Sequence, residues 1–148
     1  MSVFNTMNVS ATGMTAQRLR MDTISQNIAN INTTRGDNGS GPYRRKIAVF
    51  EEISTQKNFS NMLNQYLGEY SKVGGVKVKK IAEDKSPFIS LYDPTHPDAN
   101  KEGYVLMPNV NSLEEMTNLI SANRSYEANV TAFNSNKSML SKALEIGR

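Results

Sequence analysis

The residues that could support catalysis or bind a metal are few and poorly placed in this sequence. The only histidine, His96, lies in the run Asp93-Pro94-Thr95-His96-Pro97-Asp98, between two aspartates. A zinc site normally needs several convergent side-chain ligands, and neither a second histidine nor any cysteine completes this set. We therefore interpret the run as a proline-fixed turn exposed to solvent, with a metal site as the less favoured alternative.

Patterns that would bring acids and bases together, or surround a phosphate, are also missing from the sequence. The carboxylates of Glu51-Glu52 and Glu114-Glu115 are adjacent, and adjacent side chains diverge on a helix or a strand. Gly36, Gly39 and Gly41 are loosely spaced and precede a predicted strand, whereas a phosphate loop opens a helix. The sequence therefore argues against an enzyme and predicts neither a cofactor nor a small-molecule substrate.

Composition narrows the remaining classes of function. The chain has 148 residues, a net charge of +3 from 17 basic and 14 acidic side chains, and no cysteine. Nucleic-acid binding normally needs a concentrated basic face, which this sequence lacks. Lys77, Lys79 and Lys80 fit the solvated face of a half-buried strand, with contact to an anionic partner as the alternative. No cleavable signal peptide is expected, because the first basic residue is Arg18 and polar residues break up every apolar cluster before it.

The longest element that the pattern predicts is a C-terminal helix over residues 111–147. Ser112 followed by Glu115 has the spacing of a capping box, and no proline interrupts the segment. The helix would be about 50 Å long, far longer than a small globular domain requires. A heptad stripe runs along it for roughly four heptads, and we interpret this stripe as an assembly seam. Its apolar members are Met116, Leu119, Tyr126, Val130, Phe133, Leu140 and Leu144.

A second stripe with heptad spacing predicts an N-terminal helix over residues 1–31. Its seam residues are Phe4, Met7, Met14, Met21 and Ile28. At roughly 40–45 Å this helix is long enough to lie beside the C-terminal one. We therefore predict an α+β fold in which the two helices pair as an antiparallel coiled coil. A two-helix core within one globular domain is the alternative, although neither helix has a second apolar face to seal such a core.

Two polar residues, Asn123 and Lys137, interrupt the C-terminal stripe. They mark either places where the partner helix ends or solvent enters, or positions that fix the register and the partner number at some cost in stability. The sequence alone leaves both interpretations open.

The middle of the chain predicts a small β-rich insert between the two helices. Residues 32–42 are rich in Gly, Asn, Asp and Ser and predict a flexible joint. Residues 43–108 predict the insert itself, with strands at 43–50, 73–81, 88–92 and 103–107. Apolar residues recurring at i, i+3, i+4 and i+7 predict a short amphipathic helix near 58–70.

Several motifs in fixed order resemble a known family. The run Ser25-Gln26-Asn27-Ile28-Ala29-Asn30-Ile31-Asn32-Thr33 is similar to a signature of bacterial flagellar axial proteins, which include rod, hook and hook-associated proteins. Its matching residues are Ser25, Asn27, Ala29, Asn30 and Thr33. Further stretches resemble the proximal rod subunits of that family: 41–46, 74–78, 98–100, 103–105, 107–110 and 121–129. The stretch 54–72 departs from the pattern, since it is longer than the family's.

The resemblance implies a structural subunit of the bacterial flagellar rod, the drive shaft that crosses the periplasm and transmits motor torque. It implies export through the flagellar type III system without a cleaved signal peptide, and helical assembly into a tube that extends the axial export channel. The implied partners are other proximal and distal rod subunits, the ring–rod adaptor protein and the export apparatus. A type III secreted coiled-coil effector or translocator is the alternative function, and a small binding module carried on a helical stalk is another.

Overall fold

Two long helices and four short strands make up the part of the fold that the structure describes. The computed structural model describes residues 3–36, 41–53 and 74–146. In chain order the elements are α1 (Val3–Ala29), β1 (Lys46–Ile53), β2 (Gly75–Glu83), β3 (Ile89–Tyr92), β4 (Tyr104–Met107) and α2 (Ser112–Ile146). The α+β class, with long terminal helices on either side of a small β region, is thereby confirmed. The short helix predicted near 58–70 and part of the predicted joint lie outside the described residues.

The two helices begin and end where side chains can satisfy their free backbone groups. At the end of α1 the Asn30 side chain donates to the Gln26 carbonyl at 2.8 Å. At the start of α2 Asn111 is the capping residue, because its Oδ1 accepts from the amide of Leu113 at 3.0 Å. The capping box predicted from Ser112 and Glu115 is therefore wrong. The Glu115 side chain does not turn back to the helix start, because it bonds to other elements.

The strands form two separate two-stranded sheets, β1 with β2 and β3 with β4. β3 and β4 are antiparallel, with Ile89 opposite Met107 and Tyr92 opposite Tyr104. β1 begins three residues later than the predicted strand. The reason is that Tyr43, the predicted first residue, donates its amide to the Thr33 carbonyl at 3.1 Å and so belongs to the preceding turn.

The chain divides into two compact units. One contains Met1–Leu19, Phe50–Lys79 and Asn123–Arg148, and the other contains Arg20–Val49 and Lys80–Ala122. In the first unit Thr12 joins α1 to β2, since its Oγ1 accepts from the Val76 amide at 3.3 Å. In the second unit the buried side chains include Ile24, Val105 and Val110. No helix among the described residues is both long and apolar enough to cross a bilayer.

Candidate assembly site

The best-defined polar site of the second unit is built around Asn27, near the end of α1. Its side chain is 1% exposed and uses all of its hydrogen-bonding capacity. Nδ2 donates to the Lys46 carbonyl at 2.8 Å and to Glu115 Oε2 at 2.9 Å. Oδ1 accepts from the Lys46 amide and from the Tyr43 hydroxyl, both at 2.9 Å. Asn27 thus pairs with the backbone of β1 as a neighbouring strand would, and also reaches α2.

Glu115 brings a carboxylate into the same site from the first turn of α2. It is 1% exposed, and its Oε1 accepts from Arg45 Nε at 2.8 Å and from Arg45 Nη2 at 2.6 Å. The same guanidinium lies 2.8 Å from Glu114 and 3.5 Å from Asp84. The backbone amide of Arg45 donates to Asn109 Oδ1 at 2.9 Å. A buried carboxylate is tolerated only when it is paired and hydrogen-bonded, and here both conditions are met. We call Asn27, Tyr43, Arg45 and Glu115 the polar cluster.

The ionisation of the polar cluster follows from its burial and its charges. Burial opposes the charged form of Arg45, but hydrogen bonds and charge from Glu115, and then from Glu114, outweigh it and hold its pKa above the ordinary value. Burial also raises the pKa of the Tyr43 phenol, and the negative charges of Glu115 and Glu83 add to that rise. The cluster therefore contains a neutral tyrosine and a charged arginine at neutral pH.

The other signature residues surround Asn27 without entering the polar cluster. Ser25 and Ala29 are exposed, whereas Asn30 and Thr33 are half-buried. Thr33 Oγ1 donates to Asn30 Oδ1 at 3.2 Å, so these two residues close the turn after α1. Their roles in assembly stay predictions.

The helices meet in each unit through small or polar residues. In the first unit Gly13 of α1 is buried against Asn129 of α2, and a Cβ atom placed on Gly13 would lie 2.9 Å from Asn129 Oδ1. Asn129 Nδ2 in turn donates to the Ser125 carbonyl at 2.8 Å. In the second unit the contact is the bond between Asn27 and Glu115. A close approach of the α1 backbone defines the first contact, and a specific hydrogen bond defines the second.

None of the apolar residues of the predicted seam is fully buried. Phe4 is 66% exposed, Met116 52% and Leu144 76%. The remaining apolar seam residues are half-buried: Met7, Met14, Met21, Ile28, Leu119, Tyr126, Val130, Phe133 and Leu140. Five buried residues directly precede a residue of the stripe: Gly13, Asn27, Glu115, Ala122 and Asn136 precede Met14, Ile28, Met116, Asn123 and Lys137. The other buried residues of α1 are Ser10, Ala16, Thr23 and Ile24.

Comparison with known proteins assigns both helices to one group. The family model described as "Flagella basal body rod protein" matches residues 7–35, and the one described as "Flagellar basal body rod FlgEFG protein C-terminal" matches residues 101–146. A flagellar basal-body rod protein FlgC of Bacillus subtilis is 53% identical, and the alignment covers 100% of both chains. The chain belongs to the FlgC family of flagellar basal-body rod proteins.

Two further members of this family match the chain over nearly its whole length. The FlgC protein of Borreliella burgdorferi is 48% identical, with 99% of this chain and 98% of the relative covered. That of Escherichia coli O157:H7 is 37% identical, with 100% of each covered. The first matched rod region contains Asn27 and the second contains Glu115, so the hydrogen bond between these residues joins the two regions.

Sequence reasoning placed Asn27 in the family signature but missed its partners. Arg45 lies in the family motif 41–46, but no role was predicted for it. Glu115 was predicted to form a capping box with Ser112, which is wrong. The sequence did contain a signal for this pairing, because Glu115 lies directly beside an apolar stripe. A carboxylate that becomes buried there needs a positively charged partner. The two seam polar residues, Asn123 and Lys137, are both exposed. Asn123 donates to Glu127 on its own helix at 2.8 Å, and a role in register stays a prediction.

The run around His96 forms a turn. Asp93 Oδ1 accepts from the Thr95 amide at 3.0 Å, and the Asp98 amide donates to His96 Nδ1 at 3.1 Å. Asp98 is also bonded to Thr34 at 2.7 Å, which lowers its pKa together with the nearby Arg35. Across the described ranges no group of three or more potential metal ligands converges.

Proposed function

We propose that this chain is a structural subunit of the flagellar basal-body rod that assembles with other rod components. The observation that carries the proposal is that different residues of the helices form contacts within the chain and remain exposed to solvent. Small and polar residues form specific contacts between the helices within the chain, as Gly13 does with Asn129 and Asn27 with Glu115. Large apolar side chains of both helices stay exposed, among them Phe4, Met116, Ile120, Met139 and Leu144. Exposed apolar stripes on long helices are typical of surfaces that a neighbouring subunit covers.

The two helices pair, on this proposal, as an antiparallel coiled coil. Fourteen residues separate Gly13 from Asn27 on α1, and fourteen separate Glu115 from Asn129 on α2. Fourteen residues are two heptads. The equal spacing on the two helices, with the order of the contact residues reversed, supports the proposed pairing.

The apolar stripe is the proposed seam between subunits. Its members on α1 are Phe4, Met7, Met14, Met21 and Ile28, and those on α2 are Met116, Leu119, Tyr126, Val130, Phe133, Leu140 and Leu144. Heterologous contacts of this kind generate helical tubes when the rotation does not close. Ser25, Asn27, Ala29, Asn30 and Thr33 would fix the end of α1 in that tube.

The resemblance to proximal rod subunits supports a position in the proximal rod, and the relatives are named basal-body rod proteins. There the subunit would transmit motor torque and extend the axial export channel through the periplasm. Its further partners would be the ring–rod adaptor protein and the export apparatus, and it would be exported by the type III system without a cleaved signal. The relatives are rod proteins and not enzymes or secreted effectors, so neither catalysis nor an effector function has support.

Deletion of the gene, followed by purification of basal bodies and electron microscopy, tests this function. Loss of the rod, with recovery when the gene is returned on a plasmid, is the expected result. Normal rods in the deletion strain would refute the proposal.

A further inference from the structure

The motif residues from Gly41 to Lys46, with the exception of Arg45, line a polar groove that the contacts described so far leave open. The groove has a volume of about 670 Å³ and lies wholly within the second unit. Its walls come from the end of α1, the turn that follows it and the start of β1. Three cations line it: Arg35, Arg44 and Lys46. A groove of this size is large enough to receive several side chains of a partner.

Arg44 and Lys46 are held in the groove by aromatic rings. The guanidinium carbon of Arg44 lies 4.3 Å from the centre of the Phe88 ring. Lys46 Nζ lies 5.6 Å from the centre of the Tyr43 ring. Cation–π contacts orient a charge without neutralising it, so both cations keep their attraction for an anion.

The charges of the groove are not balanced by the described residues around it. Arg35 is paired with Asp98. Among the described residues, no carboxylate lies within 4.0 Å of Arg44 or Lys46, and Glu83 is the one carboxylate of the lining. Arg45, between them in sequence, points elsewhere and is already paired with Glu115. Two cations of the motif therefore lack an anionic partner in this part of the chain.

We infer that this groove binds an acidic segment of a neighbouring protein subunit, with carboxylates seated on Arg44 and Lys46. Charge complementarity indicates an acidic partner. Arg44 and Lys46 lie on aromatic rings without a carboxylate beside them, so they favour carboxylates over neutral or basic side chains. That the partner is a protein of the rod rests on the proposed function. The paired Arg35 and the polar side chains of Gln26 and Thr33 would border the seated segment.

Binding is measured with a fluorescein-labelled hexaglutamate peptide and the full-length chain, by fluorescence anisotropy at low and at physiological salt. The double variant Arg44→Gln/Lys46→Gln is expected to bind the peptide roughly tenfold more weakly. The matched control is Lys101→Gln/Lys142→Gln, which removes the same charge from exposed positions outside the groove, and it should bind as the wild type does. Equal weakening in both variants would show attraction by net charge only and overturn the inference.

Three further measurements test whether the groove itself holds the peptide. Lys46→Gln alone keeps the bond from Arg44 Nη1 to the Asp84 carbonyl, so it should weaken binding while thermal unfolding is unchanged. Asp37→Asn should leave peptide binding unchanged, and a gain would mean that this chain fills its own groove, against the inference. The third measurement uses phosphatidylglycerol vesicles. If the wild type binds the vesicles but not the peptide, and Arg44→Gln/Lys46→Gln loses vesicle binding, the groove binds a membrane and the inference is overturned.

An experiment in cells distinguishes failure of this inference from failure of the proposed function. Arg44→Glu/Lys46→Glu should fail to restore rods to the deletion strain, although the protein accumulates, whereas Lys101→Glu/Lys142→Glu should restore them. Full restoration by the groove variant, in a strain whose deletion abolishes the rod, would refute the groove and leave the rod function intact. Normal rods in the deletion strain itself would refute the rod function.

Discussion

Asn27 donates a hydrogen bond from Nδ2 to Glu115 Oε2 across 2.9 Å, and both side chains are 1% exposed. The bond ties the last turns of α1 to the first turn of α2, and Arg45, directly before β1, supplies the positive charge that Glu115 needs. Three elements that are distant in sequence therefore share one buried polar contact. Removing one member leaves buried polar atoms of the others without one of their partners, so the free energy of unfolding should be sensitive to each of them.

The first prediction concerns the buried carboxylate. Glu115→Ala leaves the Arg45 guanidinium, which is 18% exposed, without its main partner. The free energy of unfolding should fall by about 3–5 kcal/mol. Glu114→Ala is the matched control, because the neighbouring Glu114 contacts the same guanidinium from a side chain that is 57% exposed. Its loss should be at most about 1 kcal/mol. Urea denaturation measures both, and equal losses would contradict the assignment.

The second prediction replaces Asn27 by an acid of the same shape. Asn27→Asp cannot donate to the Lys46 carbonyl or to Glu115, and it places a second carboxylate beside the first. A loss of several kcal/mol in unfolding free energy is expected. Asn123→Asp, at an exposed position of α2, serves as the control and should change stability by less than about 1 kcal/mol. Similar stability of Asn27→Asp and wild type would mean that the Asn27 bonds contribute little.

The third prediction tests the close approach of the helices in the first unit. Gly13→Ala would gain about 1 kcal/mol of helix propensity in isolation. Here the added methyl group meets Asn129 Oδ1, so we expect no gain and a net loss of roughly 1 kcal/mol. The double variant Gly13→Ala/Asn129→Ala should recover that loss, because the obstructing side chain is gone. A stabilised single variant would show that the helices do not meet at Gly13, and additive effects would show that the two residues are not in contact.

The fourth prediction is a pH dependence. Burial raises the pKa of Tyr43, so the folded state favours the neutral phenol. The stability that this preference contributes is fully present below the ordinary pKa near 10. It is lost as pH rises through the higher pKa of the folded state. Tyr43→Phe removes this titration, so the advantage of wild type over the variant should shrink between pH 9 and about 11. Urea denaturation across that range provides the test, and an advantage that stays constant would contradict it.

The fifth prediction separates assembly from folding. Leu144→Ser changes a side chain that is 76% exposed in the isolated chain, so its unfolding free energy should change by less than about 0.5 kcal/mol. Rod formation should nevertheless be reduced, because the apolar contact with a neighbour is lost. The control is Glu145→Ser, next along α2 and also exposed, which should assemble normally. Basal-body purification from complemented cells gives the readout. Normal rods with Leu144→Ser would remove this residue from the seam.

The heptad spacing along both ends of the chain was enough to predict the two long helices, which the structure describes over Val3–Ala29 and Ser112–Ile146. Periodicity and the absence of proline are local properties, so they can be read without the fold. The strands near Gly75, Ile89 and Tyr104 could also be predicted, because the signals for them are local in the sequence. The motif around Asn27 was likewise visible in the sequence, and it carried the resemblance to rod proteins.

The tertiary structure alone decided which face of each helix is buried and what Asn27 touches. Burial shifts from Met14 to Gly13 and from Met116 to Glu115. One residue turns the helix by about 100°, roughly the width of an apolar stripe, so the buried face lies beside the predicted one. The partner of Glu115 lies 70 residues away at Arg45, and that of Asn27 lies 88 residues away at Glu115. No local propensity specifies pairings over such distances. They depend on three elements meeting in space, where a buried carboxylate is stable only beside its cation.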